Sequence, residues 1–539
     1  MPTRIVQDPN SVWVALSQML DTTLTIFRRV CSRQVRIDRE HKCILRNVIR
    51  PGTKLAGRLC PKSCRMFSPY YKKKLYANEV NQDFHSSGKE EQVRYAALSY
   101  CWGGKQVVQT TSQTIVRHRT RINFQDLPQT IKDAVIVTEN LGLDHLWVDA
   151  LCIIQDDEGD QACEVDLMGH VYENAEVTIA ASRAEGVQEG FLQDLTPWGC
   201  NKRDWVFKMH YRDLTDQISP IIIAPKLFQR PVDYLSKRAW TFQERLLSRR
   251  ILDYSSTCVH WTCQSHNDCD RRGGKCTVYE FKKDTKISRG MLYCNESVTT
   301  RTWHTLVDEF SKRSLTLPED RLPAIGGIAE RFGLQSEDRY LAGIWQSHLP
   351  LGLLWIVDRY VRGSPQPQAS AYVAPSWSWA STNRAIDGSV FVYPGISQVE
   401  IVRINVKAPE KGATYGKVIY GSLTLRGFVT PVDWKLPSET ERYSDGKISG
   451  IPSISIHRDG AEASLLAGGI TTIRVYLLVI VARGDVDLKV TGLILRQLPD
   501  QTYSRMGVFN VPYCPAHQET YRYLARSLLN SSLEEVTIV

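Results

Sequence analysis

The stretch LDHLWVDALCIIQDD, Leu143 to Asp157, decides the fold. Leu146 to Ile154 is apolar except for Asp149 and Cys152, and turn-forming acids follow it. A near-continuous apolar run of this length reads as one strand covered on both faces, the habit of a parallel sheet. An acid inside such a strand is costly unless hydrogen-bonded or paired, so Asp149 either anchors a neighbouring loop or sits in a site. Gln155, Asp156 and Asp157 fall at the carboxyl end of the strand, where α/β folds place ligands.

The flanks extend this to a β-α-β unit. Tyr95 to Gly104 (YAALSYCWGG) reads as a strand ending in a glycine pair, which permits a sharp turn or a close backbone approach to a ligand. It is no phosphate loop, because no G-x-x-x-x-G-K follows. Pro128 opens a helix carrying Ile131, Ala134, Val135, Thr138 and Leu141 at helical spacing, and Gly142 closes it. Strand, helix and strand within sixty residues imply parallel strands. A second helix, Asp160 to Asn174, has Cys163, Leu167, Met168 and Val171 as its apolar stripe, with Glu164 inside that stripe. A carboxylate facing a partly apolar cleft marks a reactive group, whereas one at a stripe edge reaches solvent; spacing leaves both open. Val177 to Ser182 reads as another buried strand, Ile218 to Ala224 as a further one, and Lys237 to Leu247 as a short helix entering a strand at Arg250 to Tyr254.

At 539 residues the chain is too long for one ordinary domain. A hydrophobic content of 42% with 23% charged residues is that of a globular protein with ample core. The net charge of +9 is modest for this length, so local basic clusters such as Lys72 to Lys74 read as solvated faces, and nucleic acid is not expected as a partner. The start of the sequence has no apolar leader segment, and the fourteen cysteines follow no regular framework, so reduced thiols in a cytoplasmic protein are expected. No run reaches the roughly 20 apolar residues of a membrane span; Leu341 to Val357 contains Gln346 and His348.

Residues 1–90 form an irregular extension with one amphipathic helix expected at Val12 to Phe27. Cys60 and Cys64 lack a second pair, and Cys258, His260, Cys263, His266, Cys269 and Cys276 do not match zinc spacing, so no metal is expected. Val259 and Trp261 instead alternate with polar positions as in a strand. Helices are expected at Thr302 to Arg313 and Arg321 to Phe332. Ala374 to Ser381 reads as an extended segment with Trp377 and Trp379 on one core face. Strands near 398–407, 417–428, 473–483 and 490–497, with a polar loop at 437–467, indicate an antiparallel β region. The expected division is 1–90 extension, 91–260 α/β domain, 261–390 mostly helical connection and 391–539 β-rich region.

Five blocks in order carry a resemblance: YAALSYCWGG at Tyr95, LPQTIKDA at Leu127, LWVDALCIIQDD at Leu146, MGHVYENAEVTIAAS at Met168 and RAWTFQERLL at Arg238. Together they resemble the fungal heterokaryon incompatibility domain; Asp320-Arg321-Leu322 and Ala374 to Ser381 resemble its usual downstream features. The resemblance implies a protein that triggers a death reaction when unlike fungal cells fuse. Its fold would be flavodoxin-like, similar to Toll/interleukin-1 receptor (TIR) domains, some of which cleave NAD. The family's D-W-x-x-E pattern corresponds to Asp160-Gln161-Ala162-Cys163-Glu164, with Gln161 in the tryptophan position. It implies Glu164 as the catalytic residue, with Ser99, Tyr100, Trp102 and Gly103 lining the cleft for NAD as substrate and no permanently bound cofactor. Implied partners are the other member of a non-self recognition pair and a homo-oligomer. A non-catalytic TIR-like signalling module and a regulatory protein of a fungal gene cluster are the competing readings.

Overall fold

The computed structural model describes residues 94–193, 207–212, 218–223, 233–256, 259–263, 267–269, 300–336, 338–358, 372–387, 395–409, 414–436, 447–448, 451, 454–460, 465–466, 468–484, 488–511 and 518–539. The helix expected at Val12 to Phe27, the Cys60/Cys64 pair, the Lys72 to Lys74 run, and Cys258, His266 and Cys276 lie outside them. By internal contacts the chain divides into two units. Val165–Gly169 and Arg238–Leu246 go with the second, although they interrupt the first in sequence.

The first unit is built on a six-stranded sheet of order β2-β1-β3-β6-β7-β8. Its strands are β1 (Tyr95–Ser99), β2 (His145–Trp147), β3 (Val177–Ala180), β6 (Arg250–Tyr254), β7 (Val259–Cys263) and β8 (Asn267–Cys269). β2, β1, β3 and β6 run parallel; β7 and β8 continue antiparallel. A separate hairpin pairs β4 (Phe207–Arg212) with β5 (Ile218–Ile223). Two helices connect the parallel strands, α2 (Gln129–Asn140) between β1 and β2 and α4 (Glu158–Asn174) between β2 and β3. A short helix α1 (Ile115–Thr120) precedes α2.

The strand expected over Leu146 to Ile154 is a correction. β2 ends at Trp147, and Asp149–Cys152 is one turn of helix, α3. Asp149 is the reason: its Oδ1 accepts from the N–H of Ala150 at 2.6 Å, and Leu151 and Cys152 donate back to the Val148 carbonyl. A side chain that satisfies its own first helical amide competes with a ladder. The apolar run is thus a buried strand followed by a buried turn, which periodicity cannot distinguish over so few residues.

One face of the sheet packs under α2. Its core joins Ala96, Leu98 and Tyr100 of the first strand region, Leu146 and Val148, Val177 and Ile179, Leu252 and Tyr254, and Val259 and Trp261 to Ile131, Ala134 and Val135 of α2. The other face is tied to α4: Tyr95 Oη donates to the Val171 carbonyl at 2.7 Å, Tyr172 Oη to the Leu98 carbonyl at 3.0 Å, and Tyr172 meets Trp147 edge-on.

In the second unit, helices α6 (Thr300–Ser311) and α7 (Pro323–Ser336) fall where expected. Trp303, Phe332, Tyr340 and Trp345 form an aromatic cluster there. Trp377 and Trp379 are both buried, and the indoles of Trp379 and Trp303 each donate to the Gly343 carbonyl. The β-rich region has strands β9 (Val399–Lys407), β10 (Tyr420–Lys435), β11 (Ser455–Arg458), β12 (Thr472–Arg483), β13 (Lys489–Gln497), β14 (Tyr503–Val511) and β15 (Ser532–Ile538), with helix α8 (Gln518–Leu529) before the last. Its pairings close on themselves. β10 pairs β12, β12 pairs β13, β13 pairs β14, β14 meets β15 in parallel at Tyr503 and Ile538, and β15 returns to β10. Closure of this kind removes strand edges. β11 and a short strand at Lys447–Ile448 fall inside the stretch expected as a polar loop.

Candidate functional site at the carboxyl rim of the parallel sheet

The first four sequence blocks each reach the carboxyl ends of the parallel strands, and most of their polar residues there hold loops together. Trp102 Nε1 donates to Asp149 Oδ2 at 2.8 Å, so Asp149 anchors the turn that ends the first strand. A hydrogen bond to a charged acceptor contributes about 1.5–3 kcal/mol. Gly103 has φ +69°, and a Cβ there would lie 2.5 Å from Gly186 Cα. The glycine pair, expected to permit a sharp turn or a close approach to a ligand, makes the turn, and Gly103 meets another loop: residues 184–192, which follow β3.

That loop is clasped from the start of α2. The Thr130 amide donates to the Val187 carbonyl and its hydroxyl to the Gly186 carbonyl, while the hydroxyl oxygen accepts from Gly190. Asp133, buried on the first turns of α2, accepts from the amides of Phe191 (2.6 Å) and Leu192 (3.0 Å) and from Gln129 Nε2. Arg183 donates to the carbonyls of Phe191 and Gln193. The loop was not identified from sequence. Gly186 and Gly190 are its only signals, and they acquire meaning only opposite Gly103 and Asp133.

The run after α3 is similarly committed. Gln155 Nε2 donates to the Asp149 and Ile153 carbonyls. Asp156 accepts from the Ser112 amide and hydroxyl, each at 2.6 Å, and these bonds hold its carboxyl below the usual carboxylate range. Asp157 caps α4, accepting from Gly159 and Asp160, and Asp160 Oδ2 accepts from the Ile154 amide. Gln161, in the tryptophan position of the resembled pattern, donates to the Gln155 carbonyl at 2.6 Å. Thr110 Oγ1 donates its single proton to the Leu151 carbonyl, so the 3.0 Å contact with His118 Nδ1 has the imidazole as donor. Burial, and then the Arg117 charge, hold His118 below its ordinary value.

Glu164 is different. It is 2% exposed, and from Glu158 to Leu167 no other residue of α4 is buried. With Met168, Val171 and Tyr172 it forms the buried stripe; Cys163 and Leu167, expected there, are only half-buried. Glu164 precedes Val171 by seven residues, about 10 Å at 1.5 Å per residue. Because the Val171 carbonyl sits over Tyr95, this puts Glu164 about three strand residues further along, level with the end of β1.

The residues expected to line one cleft are divided between two faces. Ser99 lies between Leu98 and Tyr100, which both belong to the core under α2, so Ser99 faces α4. It shares that side with Glu164. Tyr100 belongs to the opposite core, and Trp102 packs against that core while bonding Asp149. Among the described residues no group of three or more His, Cys, Asp or Glu is placed to hold a metal ion, and no helix is long and apolar enough to cross a membrane.

The last block, Arg238 to Leu247, holds α5 (Thr241–Leu247), and its residues Arg238–Leu246 are bonded inside the second unit. Trp240 Nε1 donates to Asp320 Oδ2 at 3.2 Å, Gln243 Oε1 accepts from the Gly327 amide, and Arg313 lies over the Phe242 ring. Burial raises the Asp320 carboxyl above its ordinary value.

Comparison with curated proteins gave no match, and comparison with solved structures gave none. Comparison with protein families did: residues 95–244, a little over a quarter of the chain, match the family described as Heterokaryon incompatibility protein (HET). The match begins with β1 and ends inside α5, enclosing the clasped rim and Glu164, so over these residues the chain carries a heterokaryon incompatibility (HET) domain.

Proposed function

We propose that this HET domain is the effector part of a non-self recognition protein and that it cleaves the nicotinamide–ribose bond of NAD, with Glu164 as the catalytic carboxylate. The observation that carries the reading is the burial of Glu164 on a half of α4 whose other residues are not buried, level with the carboxyl end of β1. The order of the four parallel strands, β2-β1-β3-β6, supports a flavodoxin-like, TIR-like fold.

The chemistry suits one carboxylate. Breaking the C1′–N1 bond sends its electron pair to the pyridinium nitrogen, so nicotinamide leaves neutral and needs no general acid. Positive charge develops on the ribose, and an anion held in a water-poor site stabilises it more than water would. The outcome in the cell would be a death reaction through loss of NAD in the cytoplasm.

The test is incubation of the purified full chain with NAD, followed by nicotinamide release. Wild type should release it, and Glu164→Gln should lose at least a hundredfold of kcat with an unchanged melting temperature. If neither protein cleaves NAD while expression still kills the host, the domain is a non-catalytic recognition module. The fixed Trp102–Asp149 bond favours that second reading, because it commits to loop anchoring an aromatic expected to line the cleft for NAD.

A further inference from the structure

The closed β ring leaves one strand outside it. β9 runs along β10 from Val399 opposite Gly427 to Lys407 opposite Tyr420, and it stands at the end of the strand order. Among the described residues no strand pairs with its other side. Val402 has no partner on β10, because the register shifts between Ile401 opposite Leu425 and Arg403 opposite Thr424. A residue left over in this way is a β-bulge. Residues directly opposite each other project to one face. Leu425 and Leu423 belong to the core, so their partners Ile401 and Ile404 face it, and Val406 follows Ile404 by two residues. Glu400, Arg403 and Lys407, opposite Arg426, Thr424 and Tyr420, face outward.

Burial stops at this strand. Leu423 and Leu425 are 0% exposed, whereas Ile401, Ile404 and Val406 are only half-buried and Val402 is 43% exposed. A strand laid along the open edge would cover them. An edge of nine residues with no proline is a template for such pairing.

We propose that this edge binds the same edge of a second copy of the chain, in antiparallel pairing about a two-fold axis through Ile404. The strand is complementary to its own reverse. With Val402 left out, as it is opposite β10, core-facing residues meet core-facing ones: Ile404 lies opposite Ile404 of the second copy, and Ile401 opposite Val406. Outward residues meet outward ones: Arg403 lies opposite Asn405, and Glu400 opposite Lys407. Symmetry makes each unlike pair twice, so the dimer gains two ion pairs. The neighbouring registers are repulsive. A shift by two residues in one direction sets Arg403 opposite Lys407, and in the other sets Arg403 opposite itself. A shift by one turns core-facing residues against outward ones. Charges on an edge strand commonly prevent pairing; here they exclude the wrong registers and favour one.

The experiment is sedimentation of full chains over a concentration series, with melting temperatures measured alongside. Wild type should dimerise in the micromolar range, as suits a small interface. Glu400→Lys and Lys407→Glu should each raise the dimer dissociation constant at least about tenfold with an unchanged melting temperature, because each sets like charges opposite each other twice. An equimolar mixture of the two variants should associate as wild type does, since every exchanged charge then meets an unlike one. If either variant does not fold, the double exchange Glu400→Lys/Lys407→Glu reads the same relation and should self-associate as wild type does. A wild type that stays monomeric at submillimolar concentration overturns the proposal and leaves the edge to a strand of another protein. Dimers indifferent to both single exchanges, or a mixture that does not recover, overturn it as well. None of these readouts depends on cleavage of NAD.

Discussion

The two faces of the parallel sheet differ in kind. The face under α2 is a continuous apolar surface running from Leu146 through Leu98 and Ile179 to Leu252 and Trp261. The face towards α4 carries Ser99, Thr178, Asp253 and His260 on the same strands, all buried, and Thr178 shares a 2.5 Å hydrogen bond with Ser248. Apolar groups are buried there too: Cys101, Ala180, Leu235 and Ile251 cluster together, and Trp147 meets Tyr172 of α4 edge-on. A buried polar group costs free energy unless it is compensated, so stability alone would pave both faces alike. The contrast is one of composition: apolar throughout on the α2 side, apolar and buried polar groups mixed on the α4 side.

The largest effect that tests this division is Ile179→Ala, in the α2 face. Truncation of a fully buried isoleucine should cost about 2–5 kcal/mol, read as a lower urea midpoint, with NAD turnover per folded molecule unchanged. Loss of turnover without loss of stability would break the division.

A second test uses buried imidazoles elsewhere. His304 and His348 face each other in the second unit, with ring centroids 5.4 Å apart. Burial, and then the partner imidazole, holds His304 down at about 3; burial holds His348 at about 4 against a smaller opposing effect of Asp338. Both folded values lie below the ordinary 6.5, so protons favour the unfolded chain. Stability should be complete above pH 6.5 and fall as the pH drops towards 4, by about 2–4 kcal/mol between pH 7 and 5. Replacing both residues with glutamine should flatten that dependence in denaturant titrations. If it persists, the acid sensitivity comes from other groups and the sheet's polar face becomes the first to examine.

The smallest effect is Trp102→Phe, which removes the donor to Asp149 and should cost about 1.5–3 kcal/mol. Because Trp102 packs on the α2 side, turnover per folded molecule should hold. A large fall in kcat would return that ring to the site.

Much of the first unit was legible in the sequence because long periodic segments carry their own evidence. The spacing of Ile131, Ala134, Val135 and Thr138 and the apolar runs at 95–99, 177–180 and 250–254 each appear as elements. Glu164 was legible as an acid inside a stripe. What failed needed tertiary knowledge. The helical turn at Asp149 depends on where that side chain bonds. The closed β ring depends on β10 pairing with β15 through one half and with β12 through the other. The candidate residues fared likewise: Ser99 and Tyr100, adjacent in sequence and expected together, are separated because alternation turns Tyr100 to the opposite face.

The contact between Gly103 and Gly186 has a mechanical consequence. Two backbones touching with no side chain between them have nothing soft to compress. A push on the Trp102 turn passes at once to the loop held by Thr130 and Asp133, and from there to the first turn of α2. The rim is therefore a linked frame, joined from the Trp102 turn to the start of α2 by a backbone contact and hydrogen bonds.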